Sequence, residues 1–122
     1  MFKITHNSGF HMTFKNGVTI SVQVGPGSYS DNREMWQDVA AGATFETLKR
    51  LEIEAGKKGS RNAEVAIWRD ASRFRFDDGD IVKGWVDADE VARWIEFAAN
   101  LPADMDIGKL IVASNYMLTT GD

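Results

Sequence analysis

The sequence predicts an α+β fold, in which an antiparallel sheet of about five strands packs on one helix near residues 87–101. Three observations support this. Residues 10–24 have the pattern of a β-hairpin, residues 63–86 have the pattern of a three-stranded meander, and residues 87–101 have helical periodicity. We expect residues 1–122 to form a single domain.

In the predicted hairpin, apolar and polar side chains alternate on both sides of Asn16-Gly17. The apolar set is Phe10, Met12, Phe14, Val18, Ile20, Val22 and Val24. Asn-Gly favours a type I′ turn, because both central residues of that turn take positive φ. One face of the hairpin is therefore expected to lie on a core.

The meander alternates in the same way and leads directly into the helix. Val65 and Ile67 alternate with Glu64, Ala66 and Trp68, and turn-like segments at 70–72 and 77–80 separate the later strands. Asp87 is the predicted N-cap, and Glu90 stands at the capping-box position. The apolar helix face contains Val91, Trp94, Ile95, Ala98 and Leu101, and Pro102 ends the helix.

The middle of the chain fits two structures. Phe45, Leu48, Leu51 and Ala55 have helical spacing, but residues 51–55 also alternate as a strand would. We favour a helix over residues 44–55. Leu110-Ile111-Val112 has the composition of a short strand.

Composition excludes several functional classes. The chain has no cysteine, so it has neither disulfides nor thiolate chemistry. It shows no apolar run of about 18 residues and no secretory pattern at its start, so we expect a cytoplasmic location and no membrane contact. The net charge of −4 is uneven: residues 1–30 hold two lysines and no acid, and residues 87–122 hold seven acids and two bases. We therefore expect an anionic ligand to bind to the N-terminal half of the chain.

The residues typical of catalysis and metal binding are sparse. His6 and His11 have no carboxylate nearby in sequence, and Asp77, Asp78 and Asp80 form too compact a group for a calcium loop. No serine lies in a G-x-S-x-G context. We predict no catalytic residues, no metal site and no cofactor.

The candidate binding site is the loop that follows the hairpin. Its predicted ligand-binding residues are Gly25, Gly27, Ser28, Tyr29, Ser30, Asn32, Arg33 and Trp36. Glycines around Pro26 allow backbone N–H groups to converge on an anion, Arg33 matches phosphate geometry, and Tyr29 can stack. The alternative is a purely structural connection in which Asp31 or Asn32 caps a helix.

The four tryptophans have different predicted environments. Trp94 lies on the apolar helix face, and we expect Trp85 on the inward side of its strand. Trp68 falls on the face opposite Val65 and Ile67. Trp36 follows the loop directly, which suits either a stacking platform or a small cluster beneath the loop.

Three segments carry a resemblance, F-H-M-T-F-K-N-G-V-T-I-S-V-Q-V-G-P-G-S-Y-S-D-N-R (10–33), A-E-V-A-I-W (63–68) and G-W-V-D-A-D-E-V-A (84–92). The chain resembles, over about half its length, a group of small accessory proteins of bacteriophages and prophages. Members have Asn-Tyr-Cys after G-P-G, where this chain has Ser28-Tyr29-Ser30, so a thiol-based role does not carry over. The resemblance implies a viral protein that acts on host defence in the host cytoplasm.

Two functions follow as expectations. The first is a non-enzymatic protein that sequesters a small anionic immune signal, such as a cyclic nucleotide or an ADP-ribose derivative, as a homo-oligomer that encloses its ligand. The second is an inhibitor of a host defence protein, in which the acidic residues 87–122 mimic the charge of nucleic acid.

Overall fold

The computed structural model describes residues 1–5, 8–26, 28–33 and 44–108, which contain six strands and two helices. In chain order they are β1 (Phe2–Thr5), β2 (Gly9–Thr13), β3 (Thr19–Gln23), α1 (Phe45–Lys58), β4 (Asn62–Arg69), β5 (Ser72–Arg73), β6 (Val82–Asp87) and α2 (Ala88–Ala99). The predicted α+β class is confirmed. The strand predicted at residues 110–112 lies outside the described residues.

All strand pairs are antiparallel, and the sheet order is β1-β2-β3-β4-β5, with β6 also paired to β4. β5 and β6 share one edge of β4, because β5 pairs with residues 68–69 and β6 with residues 62–66. The meander predicted over residues 63–86 is therefore wrong in its pairing: β5 is only two residues long, and β6 pairs with β4 instead of β5. The predicted hairpin corresponds to β2 and β3. β1 was not predicted, and it adds an edge strand in which Phe2 is in register with Met12.

One face of the sheet forms the core. Ile20, Val22, Val65 and Ile67 are at most 5% exposed, as strand alternation requires for side chains on a single covered face. α2 covers them with Trp94 and Ala98, which are completely buried. The Trp94 ring contacts three other aromatic rings at centroid distances of 4.9–5.7 Å, those of Phe74, Phe76 and Phe97.

α2 begins as predicted at its N-cap, since the Asp87 carboxylate accepts from the Glu90 amide at 2.8 Å. Glu90 does not complete the capping box. Its Oε2 instead accepts from Trp94 Nε1 at 2.8 Å and pairs with Lys83 Nζ at 2.9 Å. The Glu90 carboxylate therefore satisfies the buried indole N–H, which would otherwise be costly to bury.

The predicted type I′ turn is wrong. Gly17 has a φ of 81°, but Asn16 does not have a positive φ, and Gly17 N donates to Phe14 O at 3.0 Å. The connection is thus a three-residue loop with a left-handed glycine at its end. Asn16 Nδ2 donates to the carbonyls of Ala98 and Leu101, both at 2.9 Å, which satisfies the C-terminal end of α2.

α1 confirms the helical alternative for the middle of the chain and extends to Lys58. Thr44 caps it by accepting from Thr47 N, and only Ala55 is buried. Leu48 and Leu51 border a groove of about 270 Å³ beside Pro26. α1 packs less tightly than α2, because its buried residue is a single alanine, whereas α2 buries Trp94 as well as Ala98.

The second face of the sheet, opposite α2, is called the polar face. In-register positions place on it Lys3, Thr5, His11, Thr13, Thr19, Ser21, Gln23, Glu64, Ala66, Trp68 and Arg73. In the described part of the chain, no helix has the length and apolar character needed to cross a membrane.

Candidate functional site

The loop after β3 is held closely against the segment before β2. Val24 N donates to Ser8 O at 2.8 Å, and Gly25 is buried beneath the Ser8 side chain. A Cβ on Gly25 would lie 2.4 Å from Ser8 Cβ and 3.1 Å from Ser8 Cα. Glycine is therefore required at position 25 for close packing, and Gly27 lies outside the described residues.

The backbone N–H groups of residues 28–33 all have acceptors within the protein. The Tyr29 amide donates to Glu64 Oε2 at 2.9 Å, and the Asp31 amide donates to Asn62 Oδ1 at 2.7 Å. The other four amides donate to oxygens of the loop itself, at Gly25, Ser28 and Ser30. An anion nest made from these amides would have to displace existing hydrogen bonds, one of them to a carboxylate.

The short polar side chains of the loop also stabilise the loop. Ser28 Oγ donates to Gly25 O at 2.7 Å and lies 2.8 Å from Ser30 Oγ. Asn32 is completely buried, and its Nδ2 donates to Val24 O at 2.7 Å. These contacts assign Gly25, Ser28, Ser30 and Asn32 a structural part in shaping the loop.

An ion pair joins the loop to the start of β4. Arg61 Nε lies 2.9 Å from Asp31 Oδ2, and Asn62 Nδ2 donates to the same carboxylate at 3.1 Å. The hydrogen bonds from the Arg61 side chain and backbone hold the pKa of Asp31 far below its ordinary value. The pKa of Arg61 is raised by the same contact. The Arg61 guanidinium is thus already paired with Asp31 of the loop.

Tyr29, Arg33 and Trp85 form one contact group, called here the aromatic–arginine cluster. The Arg33 guanidinium carbon lies 4.2 Å from the centroid of the Tyr29 ring, within cation–π range. The Tyr29 and Trp85 rings are 5.6 Å apart with an interplanar angle of 39°. Trp85 N donates to Tyr29 O at 2.7 Å, which fixes β6 to the loop.

The inward position expected for Trp85 is wrong, because the side chain is 56% exposed. The register of β6 against β4 shifts between Ala63 and Val65, and the alternation that would turn Trp85 inward is broken there. Gly84, next to Trp85, allows Tyr29 to pack against the strand, since a Cβ on Gly84 would lie 2.5 Å from Tyr29 Cβ. An isolated glycine in a strand is the sequence signal that indicates such a bulge.

Trp85 also has an unusual backbone. Its φ is 51°, in the left-handed region that costs a non-glycine residue about 1–2 kcal/mol. A large aromatic side chain is thus held in solvent by a strained backbone. Strain of this kind persists where surrounding structure enforces it, and it is concentrated at functional sites.

The structure thus brings together two of the predicted site residues, Tyr29 and Arg33, and adds Trp85. Trp36 lies outside the described residues. Arg33 has no ion-pair partner among the residues that the structure describes. A guanidinium on the Tyr29 ring, with the exposed Trp85 ring next to that tyrosine, is suited to a ligand that is both anionic and planar.

The described residues contain no candidate metal site. Within residues 1–5, 8–26, 28–33 and 44–108, no three His, Cys, Asp or Glu side chains are close enough together to hold a metal ion. Comparison with protein-family models, with curated proteins and with solved structures finds no match to this chain.

Proposed function

We propose that this protein binds a small, planar, anionic ligand of the nucleotide type at the aromatic–arginine cluster and holds it without breaking a bond. The observation that carries the proposal is the exposed Trp85, held at positive φ beside Tyr29, whose ring also contacts Arg33, a residue with no ion-pair partner in the described part of the chain. A base stacks on the exposed ring, and the guanidinium pairs with phosphate.

Binding in this form needs no catalytic group. The Arg33 guanidinium presents a planar set of donors that matches two phosphate oxygens at once. The amides of residues 28–33 keep their internal hydrogen bonds, so affinity rests on side chains and the loop is preformed. A preformed site avoids the entropic cost of ordering the loop on binding.

The biological role that we propose is sequestration of a host immune signal by a viral protein. It is supported by the resemblance of residues 10–33, 63–68 and 84–92 to phage accessory proteins. The ligand classes to test first are cyclic nucleotides and ADP-ribose derivatives, because both combine a base with phosphate.

Calorimetric titration with a panel of mononucleotides, cyclic nucleotides and ADP-ribose derivatives tests the proposal. We expect at least one member to bind in the micromolar range or tighter, and Arg33→Gln to weaken it about tenfold or more, as loss of a charged hydrogen bond predicts. Arg93→Gln, on α2, is the matched control and should bind like the wild type. Absence of binding across the panel would refute the proposal.

We also propose that two copies pair through β1. This edge strand and the residue before it expose three large apolar side chains, Met1, Phe2 and Ile4, at 85%, 74% and 75%. Antiparallel pairing of β1 with its copy would satisfy the edge and bury the same patch on both chains. A mass measurement in solution should give a dimer for the wild type and a monomer for Ile4→Lys; a monomeric wild type refutes the pairing.

The inhibitor of a host defence complex is the second candidate, and an exposed acidic surface favours it. Asp87, Asp89, Glu96, Asp104 and Asp106 are all exposed on α2 and the segment around it. Charge reversal at Asp89, Glu96 and Asp104 should abolish capture of a stoichiometric protein partner and leave nucleotide binding unchanged. The matched control reverses Glu46 and Glu54 on α1. If no partner is captured by the wild type, this candidate is rejected.

A further inference from the structure

A second aromatic group lies on the polar face, at the opposite end of β4 from the aromatic–arginine cluster. The His11 ring meets the Trp68 ring edge-on, with centroids 5.1 Å apart. The Arg73 guanidinium carbon lies 5.8 Å from the centroid of the Trp68 ring. This group, like the aromatic–arginine cluster, combines a guanidinium on an aromatic ring with a tryptophan.

The two groups face the same side of the sheet. The Tyr29 amide is bound to the Glu64 carboxylate, and Glu64 alternates with the buried Val65 on β4. Trp68 is four residues further along the same strand and has the same parity. At a rise of about 3.3 Å per residue, Glu64 and Trp68 are about 13 Å apart.

The charge of the surface near Trp68 is complementary to phosphate. Arg73 and Lys3 are exposed, and neither has an ion-pair partner in the described part of the chain. Lys3 is in register with His11, whose pKa is lowered by burial and by the nearby Lys3 charge. The Glu64 carboxylate, which accepts from Tyr29 N, keeps its negative charge at the other end of β4.

The surface between the strands has room for a polar chain. A groove of about 670 Å³ runs along β1–β3, lined by Lys3, Ile4, Thr5, His11, Ser21 and Gln23. Thr5 Oγ1 and Ser21 Oγ both hydrogen-bond to the Gln23 amide at 3.0 Å, so the floor of the groove is a fixed polar surface.

We propose that the ligand is a short single-stranded oligonucleotide, with one base at Trp85 and Tyr29, another at Trp68, and phosphates contacted by Arg33 and Arg73. Consecutive stacked bases are about 3.4 Å apart, so bases at both platforms belong to nucleotides that are not stacked on each other. Phosphate and sugar then cross the polar face. This inference rests on the proposed function of the aromatic–arginine cluster and names the class of its ligand.

The test is a titration of the full chain at low salt with AMP, with linear tri- and tetranucleotides, and with cyclic di- and trinucleotides. We expect an oligonucleotide, linear or cyclic, to bind about tenfold or more tightly than AMP, as one further stacked base predicts. Arg73→Gln should weaken the oligonucleotide about fivefold or more and leave AMP unchanged. It should also reduce the slope of log K against log salt by about 0.7.

Arg33→Gln and Arg93→Gln complete the design. Arg33→Gln should weaken both AMP and the oligonucleotide, whereas Arg93→Gln, on the far side of the sheet, should weaken neither. If AMP binds but oligonucleotides bind no better, or if Arg73→Gln leaves their affinity unchanged, the inference is overturned and the proposed function stands. If neither AMP nor any oligonucleotide binds, the inference is overturned as well. The proposed function would then depend on binding of the ADP-ribose derivatives.

Discussion

Tryptophan occurs on both sides of the sheet, but Trp94 on one side is buried and Trp85 on the other is exposed. On the core face, Trp94 is completely buried, and its indole N–H donates to Glu90. On the side of the polar face, Trp85 is 56% exposed on a left-handed backbone, although burial would stabilise it by roughly 1.5–3 kcal/mol. The difference indicates that Trp94 contributes to stability and that Trp85 presents a surface.

Removing Trp94 should cause the largest loss of stability. Trp94→Ala deletes the centre of the aromatic cluster and is expected to cost about 3–5 kcal/mol in the free energy of unfolding. Because that variant is at risk of not folding, Trp94→Phe serves as a second variant with a smaller loss. Urea unfolding measures both. A loss below about 1 kcal/mol for Trp94→Ala would contradict its place at the centre of the core.

Asn16 should come next, since its side chain connects the β2–β3 loop to α2. Asn16→Ala leaves the carbonyls of Ala98 and Leu101 without this donor and should cost about 1–3 kcal/mol. The matched variant Asn100→Ala removes an exposed bond to Glu96 O and should cost about 0.5 kcal/mol or less. Equal losses for the two variants in urea unfolding would show that the Asn16 contact stabilises the fold no more than an exposed hydrogen bond does.

Trp85→Gly should separate stability from binding. Glycine relieves the left-handed backbone by about 1–2 kcal/mol, while loss of the Tyr29 contact costs about 0.5–1.5 kcal/mol. The free energy of unfolding should therefore change little, and nucleotide affinity should fall about tenfold. A variant that unfolds readily would mean that Trp85 is structural. An unchanged nucleotide affinity would show that Trp85 is not part of the binding site.

The Asp31–Arg61 pair should give the smallest effect, visible only in acid. The pKa of Asp31 is lowered in the folded protein, so its contribution to stability is present above the ordinary value of 3.8 and is lost as pH falls towards the folded value. Unfolding midpoints in urea at pH 7 and pH 2.5 should differ more for the wild type than for Asp31→Asn. An identical pH dependence would show that the pair does not stabilise the loop.

Local patterns predicted those parts of the fold that local interactions determine. α2 follows from the Asp87 cap and the spacing of its apolar face, and β2–β4 follow from strict alternation. β1 is only four residues long and its side chains are mostly exposed, so its pattern is too weak to stand out. The turn at Asn16 was mistaken because its side chain bonds to a helix more than 80 residues away.

The site was predicted only in part for a related reason. Tyr29 and Arg33 were found because glycines, an arginine and an aromatic residue coincide in one loop. Trp85 was assigned to the wrong side because alternation assigns faces only while a strand stays in register, and β6 has a bulge next to it. The engagement of the loop amides by Glu64 and Asn62 depends on tertiary contacts that no local pattern contains.

A ¹H–¹⁵N spectrum of the indole Nε1–H groups during a nucleotide titration tests most directly whether Trp85 binds the ligand. The chain has four tryptophans, and Trp85→Gly and Trp94→Phe assign two of the signals. We predict that the Trp85 signal shifts in a saturable way while the Trp94 signal does not shift. A titration in which ligand binds but the Trp85 signal does not move would contradict this prediction.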